Sequence, residues 1–212
     1  MTYNIISTGS QGNAVVINDI VLIDCGVSFK SIRHIYKDFK IVLLTHIHND
    51  HFNKSTIKTL ARERPTLRFA CCDWLIQRLV ACGVDKKNID VLEIGKIHDY
   101  SLFKVSPIKL YHNVPNCGYR LFFETEKLFY ATDTNTLEGI SAKDYDLHMV
   151  EANYIDEEMA GRIAEKLAND EYPYEYEVIK NHLSKSKCDN FIYSNIGAKG
   201  QYVYLHGHQD KE

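Results

Sequence analysis

The segment Thr45-His46-Ile47-His48-Asn49-Asp50-His51 places three imidazoles and a carboxylate directly after the apolar run Ile41–Thr45. A continuous apolar run of that length reads as a strand buried on both faces. Packing several unsatisfied polar groups at the tip of such a strand has no structural use of its own. Neutral imidazole and carboxylate are the ligands that zinc and other first-row divalent ions take. In an extended turn His46 and His48 point the same way, while Asp50 and His51 are carried past a bend. One loop can thereby seed two adjacent metal sites.

The remaining chain alternates short strands and helices. Tyr3–Thr8, Ala14–Asn18 and Val21–Cys25 read as strands parted by Gly-containing or Asn-Asp turns. Ser28 is placed to cap a helix through about Lys37, because Phe29, Ile32, Ile35 and Tyr36 recur near helical spacing. Further helices are expected over Ser55–Arg62, Asp73–Ala81 (closed by Gly83), Asp156–Ala168 and Lys185–Ile196. Strands are expected at Leu67–Ala70, Ile89–Ile94, Phe103–Tyr111, Gly118–Glu124, Leu128–Thr132, Leu147–Ala152 and Tyr202–His206. Strand-rich halves, each with helices, predict an α/β (α+β) sheet-on-sheet core flanked by helices, in one domain spanning residues 1–212.

Composition narrows the function classes. With 45% hydrophobic residues the 212-residue chain can bury a sizeable core, and no apolar run has the length of a membrane span. No basic stretch followed by an apolar segment marks Met1–Ser10, so a cytoplasmic location is expected. A net charge of −3 argues against a protein that coats nucleic acid non-specifically. Lys54, Lys58, Arg62, Arg64 and Arg68 cluster locally, which suits a solvated helix face at least as well as a basic patch. The six cysteines form no C-x-x-C pair and are expected to be buried free thiols.

Four more strand tips carry the residues a two-metal site still needs. His112 follows Phe103–Tyr111, Asp133 follows Leu128–Thr132, Glu151 closes Leu147–Val150, and His206 follows Tyr202–Leu205. Any one of these alone is more often a solvated cap; their joint occurrence is what carries weight. His34 (on a helix), His98 (in a turn) and His148 (inside a strand) are expected to be structural. The aromatic and acidic Glu171–Tyr176 stretch is expected to be a loop packing its own rings, and Gly9–Asn13 a tight turn.

Together these residues resemble the metallo-β-lactamase superfamily. His46, His48, Asp50 and His51 match its H-x-H-x-D-H signature in full. The similarity is greatest to the phosphodiesterase branch containing RNase Z and the YycJ (WalJ)-type exonucleases. Ser7–Asn13 with Val21–Gly26, Tyr130–Thr134, Glu151-Ala152-Asn153 and Asn181–Ser184 resemble segments of that branch, so the likeness runs from about Thr8 to His206. Asn135 and Asn181 depart from it, each standing where the branch has glycine. The resemblance implies an αββα sandwich of two mixed sheets. It implies that His46, His48 and His112 hold one ion, and Asp50, His51 and His206 the other, with Asp133 bridging. His208 is a second candidate for the last position; His206 keeps the strand in register. The implied ions are divalent, zinc first and manganese compatible.

The implied reaction is hydrolysis of a phosphodiester in a nucleotide or nucleic-acid substrate by a metal-bridging hydroxide. Asp50 would orient the nucleophile or accept its proton. His182, backed by Glu151, would protonate the leaving oxygen. Two substrates stay open: DNA or RNA, or a cyclic nucleotide such as the cyclic CMP and UMP hydrolysed by the similar anti-Pycsar enzymes. Weaker readings are thiolester or β-lactam hydrolysis and a catalytically inactive metal-binding scaffold. The branch also implies a homodimer, for which no residue marks an interface. No membrane partner is expected.

Overall fold

The computed structural model describes residues 1–207, so His208 lies outside the described residues. The chain divides into two compact units, Met1–His98 and Asp99–Glu212, and each is described by itself.

The first unit is built on a six-stranded mixed sheet. Strands β1 (Tyr3–Ser7), β2 (Ala14–Ile17), β3 (Val21–Ile23), β4 (Ile41–Leu44), β5 (Arg68–Cys71) and β6 (Ile89–Val91) lie in that order across it. The first three are antiparallel, and β2 and β3 are joined by a tight turn in which Asn18 and Asp19 take positive φ of 48° and 60°. From β3 onward the strands are parallel. The all-apolar β4, Ile-Val-Leu-Leu, is buried at every position, as a central parallel strand must be. Helix α2 (Lys54–Glu63) turns Ile57 and Leu60 into the core, and the Asn53 side chain caps it by accepting from the Thr56 N–H at 3.0 Å.

Helix α1 is much shorter than expected, Phe29–Ile32 rather than a helix to Lys37. Ser28 makes no capping bond, and its hydroxyl lies instead 3.2 Å from that of Ser31. The chain after α1 runs on as turns, and the Arg64 guanidinium binds the carbonyls of Tyr36, Lys37 and Phe39 there. Asp73–Ala81 is likewise broken, into a 3-10 turn over Asp73–Leu75 and helix α3 over Ile76–Ala81. The basic cluster dissolves in part: Arg64 serves those carbonyls, Arg68 binds Asp90 and the Lys87 carbonyl, and Arg62 pairs with Glu63.

In the second sheet the order is β12 (Ile196–Leu205), β11 (Tyr145–Glu151), β10 (Lys127–Ala131), β9 (Asn116–Phe122), β8 (Lys104–Leu110) and β7 (His98–Asp99). Here β10, β11 and β12 run parallel, and β8, β9 and β10 antiparallel. Helices α4 (Asp156–Ala168), α5 (Glu175–Asn181) and α6 (Lys185–Asn195) belong to this unit, and α6 packs on β11 and β12. Phe129, Val150, Phe191 and Ile192 are among the residues that form its core.

Two further elements depart from the sequence reading. Helix α5 occupies residues expected in part as loop, and Tyr172, Tyr174 and Tyr176 stay exposed instead of packing on one another. Strand β12 begins at Ile196, six residues earlier than the apolar pattern indicates, because its first half is a Gly- and Lys-containing edge with a register shift opposite Tyr145–Leu147. All six cysteines are buried and free. No helix among the described residues is long and apolar enough to cross a membrane.

Candidate functional site

The loop after β4 is held from behind by main-chain bonds. Asp50 O accepts from Asn13 N–H at 2.6 Å, His51 O from Cys25 N–H at 2.9 Å, and Cys25 O from Asn53 N–H at 2.8 Å. The approach is so close at Gly26 that any Cβ would run into the Asp50 carbonyl, so only glycine fits. The Gly9–Asn13 turn is therefore more than a connection. The Asn13 side chain, nearly fully buried, closes the turn on Gly9 and also reaches His51 Nε2 at 2.8 Å.

Asp24 organises the imidazoles. Its buried carboxylate accepts from the Thr45 N–H and hydroxyl, both at 2.9 Å, and from His51 Nδ1 at 2.7 Å. Because the Thr45 hydroxyl spends its one proton on Asp24, it accepts from His46 Nδ1 at 3.0 Å. Both rings are thus fixed with the proton on Nδ1 and the lone pair on Nε2, the state in which a neutral imidazole binds a metal. His46 Nε2 lies 3.1 Å from His48 Nδ1. Two nitrogens on one tetrahedral ion with bonds of about 2.0–2.1 Å would stand roughly 3.3 Å apart, so that spacing suits a shared ion. Asp50 sits beside them, its Oδ2 3.6 Å from His51 Nε2.

In the second unit the candidate residues gather at the ends of neighbouring strands. Asp133, Glu151, His182 and His206 each offer a ligand atom, all within 4.8 Å of one another. His112 gives its Nδ1 proton to the Asn181 carbonyl at 2.9 Å, leaving Nε2 3.9 Å from Asp133 Oδ1. His206 Nε2 is 3.5 Å from the same oxygen. Glu151 is fully buried, with Oε2 accepting from the N–H groups of Thr134 and Leu183 at 3.0 and 3.3 Å. Its other oxygen accepts from His182 Nδ1 at 2.6 Å.

Three of the residues that build these clusters sit in the left-handed region: Asp24, Asp133 and His206, with φ of 58°, 56° and 52°. Aspartate visits that region readily; histidine does so less often. Such a backbone persists where the surroundings over-determine it, and it clusters at functional sites.

Each unit therefore presents its own set of convergent imidazole and carboxylate groups. The donor chemistry fits divalent ions, since His46, His51 and His112 are all set in the metal-binding tautomer by partners on Nδ1. Sequence reasoning assigned no role to four residues that contact these rings: Asp24 and Thr45, which set the tautomers, and Asn13 and Asn153, whose amide N–H groups face His51 Nε2 and His206 Nδ1. Asn153 Nδ2 lies 3.0 Å from His206 Nδ1 and also donates to the His206 carbonyl. The available signal was a carboxylate or amide ending an otherwise apolar strand, as Asp24 does after Val21-Leu22-Ile23. His148 is structural as expected, buried and 2.9 Å from the Ala142 carbonyl through Nε2. His98 lies in β7, not a turn, and its Nε2 accepts from Glu93 N–H at 3.2 Å.

A family model described as a beta-lactamase superfamily domain matches residues 20–177, more than half of the chain. The chain belongs to the beta-lactamase superfamily. Among solved structures, the metallo-beta-lactamase fold protein YhfI from Bacillus subtilis is similar at 16% identity and a TM-score of 0.75, over 99% of this chain and 88% of that one. The short form of human tRNase Z is similar at 16% identity and a TM-score of 0.72, over 99% and 93%. A long-form RNase Z from yeast is similar at 13% identity and a TM-score of 0.66, over 99% and 38%. At such identities the likeness speaks to the fold. Compared with curated proteins, the chain has no sequence match. As a superfamily member with these side chains, it has the fold and the candidate ligands of a metal-dependent hydrolase.

Proposed function

We propose that this superfamily member is a phosphodiesterase acting on nucleotides, and the observation that carries the reading is the Glu151–His182 pair. The resemblance stated above assigns His46, His48 and His112 to one ion, Asp50, His51 and His206 to a second, and Asp133 to both. Zinc is the ion these nitrogens and oxygens suit best, with manganese compatible. Bound ions would supply Lewis-acid charge neutralisation at the phosphoryl group and a nucleophile at neutral pH.

The chain's own residues do the remaining work. Breaking a phosphodiester expels an alkoxide, which at neutral pH departs well only if protonated as the P–O bond breaks. His182 is partly exposed, and its Nδ1 proton is committed to a buried carboxylate. The ring therefore meets substrate through Nε2, from which a proton passes to the departing oxygen. Glu151 stabilises the cationic ring and fixes its orientation, and its two backbone donors hold the carboxylate in turn. Asp50, steadied by Asn13, is placed to accept the proton of the attacking water. A thiolester expels a thiolate, which leaves without a proton, so the pair favours phosphodiesters over thiolesters.

Metal-loaded and chelated protein would be offered bis-p-nitrophenyl phosphate, cyclic mononucleotides, single-stranded DNA and single-stranded RNA. Metal-dependent cleavage of any of them supports the reading. Turnover of cyclic mononucleotides alone identifies a signal-degrading enzyme, and turnover of oligomers alone a nuclease. Hydrolysis of lactams or thiolesters with no phosphodiester turnover would overturn it.

A further inference from the structure

A cavity of about 210 Å³ opens in the second unit beside the end of β11, with Asn153 forming part of its wall. It lies at the carboxyl ends of the parallel strands β11 and β12, where open α/β sheets commonly bind ligands. Asn153 lies between it and the catalytic cluster, its Nδ2 3.0 Å from His206 Nδ1. We propose that this cavity is a subsite for the heteroaromatic base of the substrate, an inference that rests on the phosphodiesterase reading above.

Size and lining both point to a base. At 210 Å³ the cavity is smaller than the roughly 300–1,000 Å³ that enclose a whole small-molecule ligand, so it takes one part of a larger substrate. Tyr154 and Met159 give it flat or polarisable walls of the kind on which bases stack, and Lys185 Nζ lies over the Tyr204 ring at 5.0 Å. Glu158 and Arg162, one helical turn apart on α4, add a carboxylate and a guanidinium on the same side. A phosphate would want net positive charge, and the cavity does not offer it. Lys185 is paired to Asp189 at 2.7 Å, the Tyr204 hydroxyl binds the same aspartate, and the Glu158 carboxylate offsets the Arg162 guanidinium. A ring bearing both donors and acceptors is the complementary ligand.

The test compares p-nitrophenyl esters of the four nucleoside 5′-phosphates with base-free bis-p-nitrophenyl phosphate, using wild type, Arg162→Ala and Met159→Phe in the full metal-loaded chain. The ratio of KM for the preferred nucleoside ester to KM for the base-free diester should rise about tenfold or more in the variants. Calorimetric titration of metal-free protein with the four nucleosides supplies a readout independent of turnover, and binding should weaken by a similar factor. An unchanged ratio together with unchanged nucleoside binding in two folded variants would overturn the subsite. If no diester is hydrolysed by wild type, the phosphodiesterase reading fails, and nucleoside binding lost in Arg162→Ala would still uphold the cavity. Absence of nucleoside binding by an active wild type would sink the cavity alone.

Discussion

Glu151 Oε1 accepts a 2.6 Å hydrogen bond from His182 Nδ1, while its second oxygen is held by the backbone of Thr134 and Leu183. A carboxylate so fully occupied cannot swing away, so the imidazole has one orientation. For His182→Ala we expect both ions to be retained, and turnover of substrates with alkoxide leaving groups to fall by about 10²–10⁴-fold. p-Nitrophenolate needs no proton to leave, so its release should fall far less. Metal analysis beside paired kinetics checks this, and metal loss would mean a ligand had been misread as an acid.

Asp24 touches no solvent and sets the tautomer of His51 directly and of His46 through Thr45. Asp24→Asn removes one acceptor and leaves an amide N–H facing a donor. Partners of this kind typically contribute 10–100-fold to metal affinity, and a loss of about that size is expected. Competition with a chromophoric chelator measures it; unchanged affinity would show that the two rings need no such help.

For Gly26→Ala the added methyl meets the Asp50 carbonyl and must push the whole loop outward. The expected outcome is a folded but destabilised protein with less than full metal content. Urea unfolding with metal analysis would detect it, and wild-type values in both would show that the loop yields cheaply.

Burial lowers the pKa of His148, against the opposing pull of the Ala142 and Gln201 backbone. The ring is kept neutral in the folded state, whereas the unfolded chain protonates it below about pH 6.5. Its contribution is therefore present above that pH and lost as the pH falls towards the folded value. In metal-free protein, the urea midpoint should drop between pH 7 and 5, and the drop should be shallower for His148→Gln. Parallel curves for the two proteins would contradict this.

Thiol chemistry provides a further check on packing. Burial pushes Cys25 upward and takes Cys71 and Cys188 to about 12. A thiol-reactive dye should label none of the six cysteines in native protein and all of them in urea.

Much of this was legible beforehand, for reasons that differ by element. Strands β2, β4, β10 and β11 announce themselves because buried parallel or central strands must be apolar along their length. The loop His46–His51 stands out because its polar cluster contradicts the strand that precedes it. Helix α1 misled, since Ile35 and Tyr36 keep helical spacing while the chain beyond Ile32 runs in turns whose carbonyls are bound by Arg64, nearly thirty residues on. The first half of β12 was hidden because an edge strand need not be apolar. Asn135 shows the limit most clearly. It binds Lys180 O through its side chain and Tyr111 O through its backbone, a tie between distant segments that spacing cannot reveal.

The backbone lattice joining Asn13, Cys25 and Gly26 to the loop at Asp50–Asn53 is made by peptide groups alone. Exchange of an imidazole or carboxylate in that loop removes none of these bonds. A chain stripped of its chemistry should thus persist as an inert look-alike, able to compete for the same molecules without consuming them.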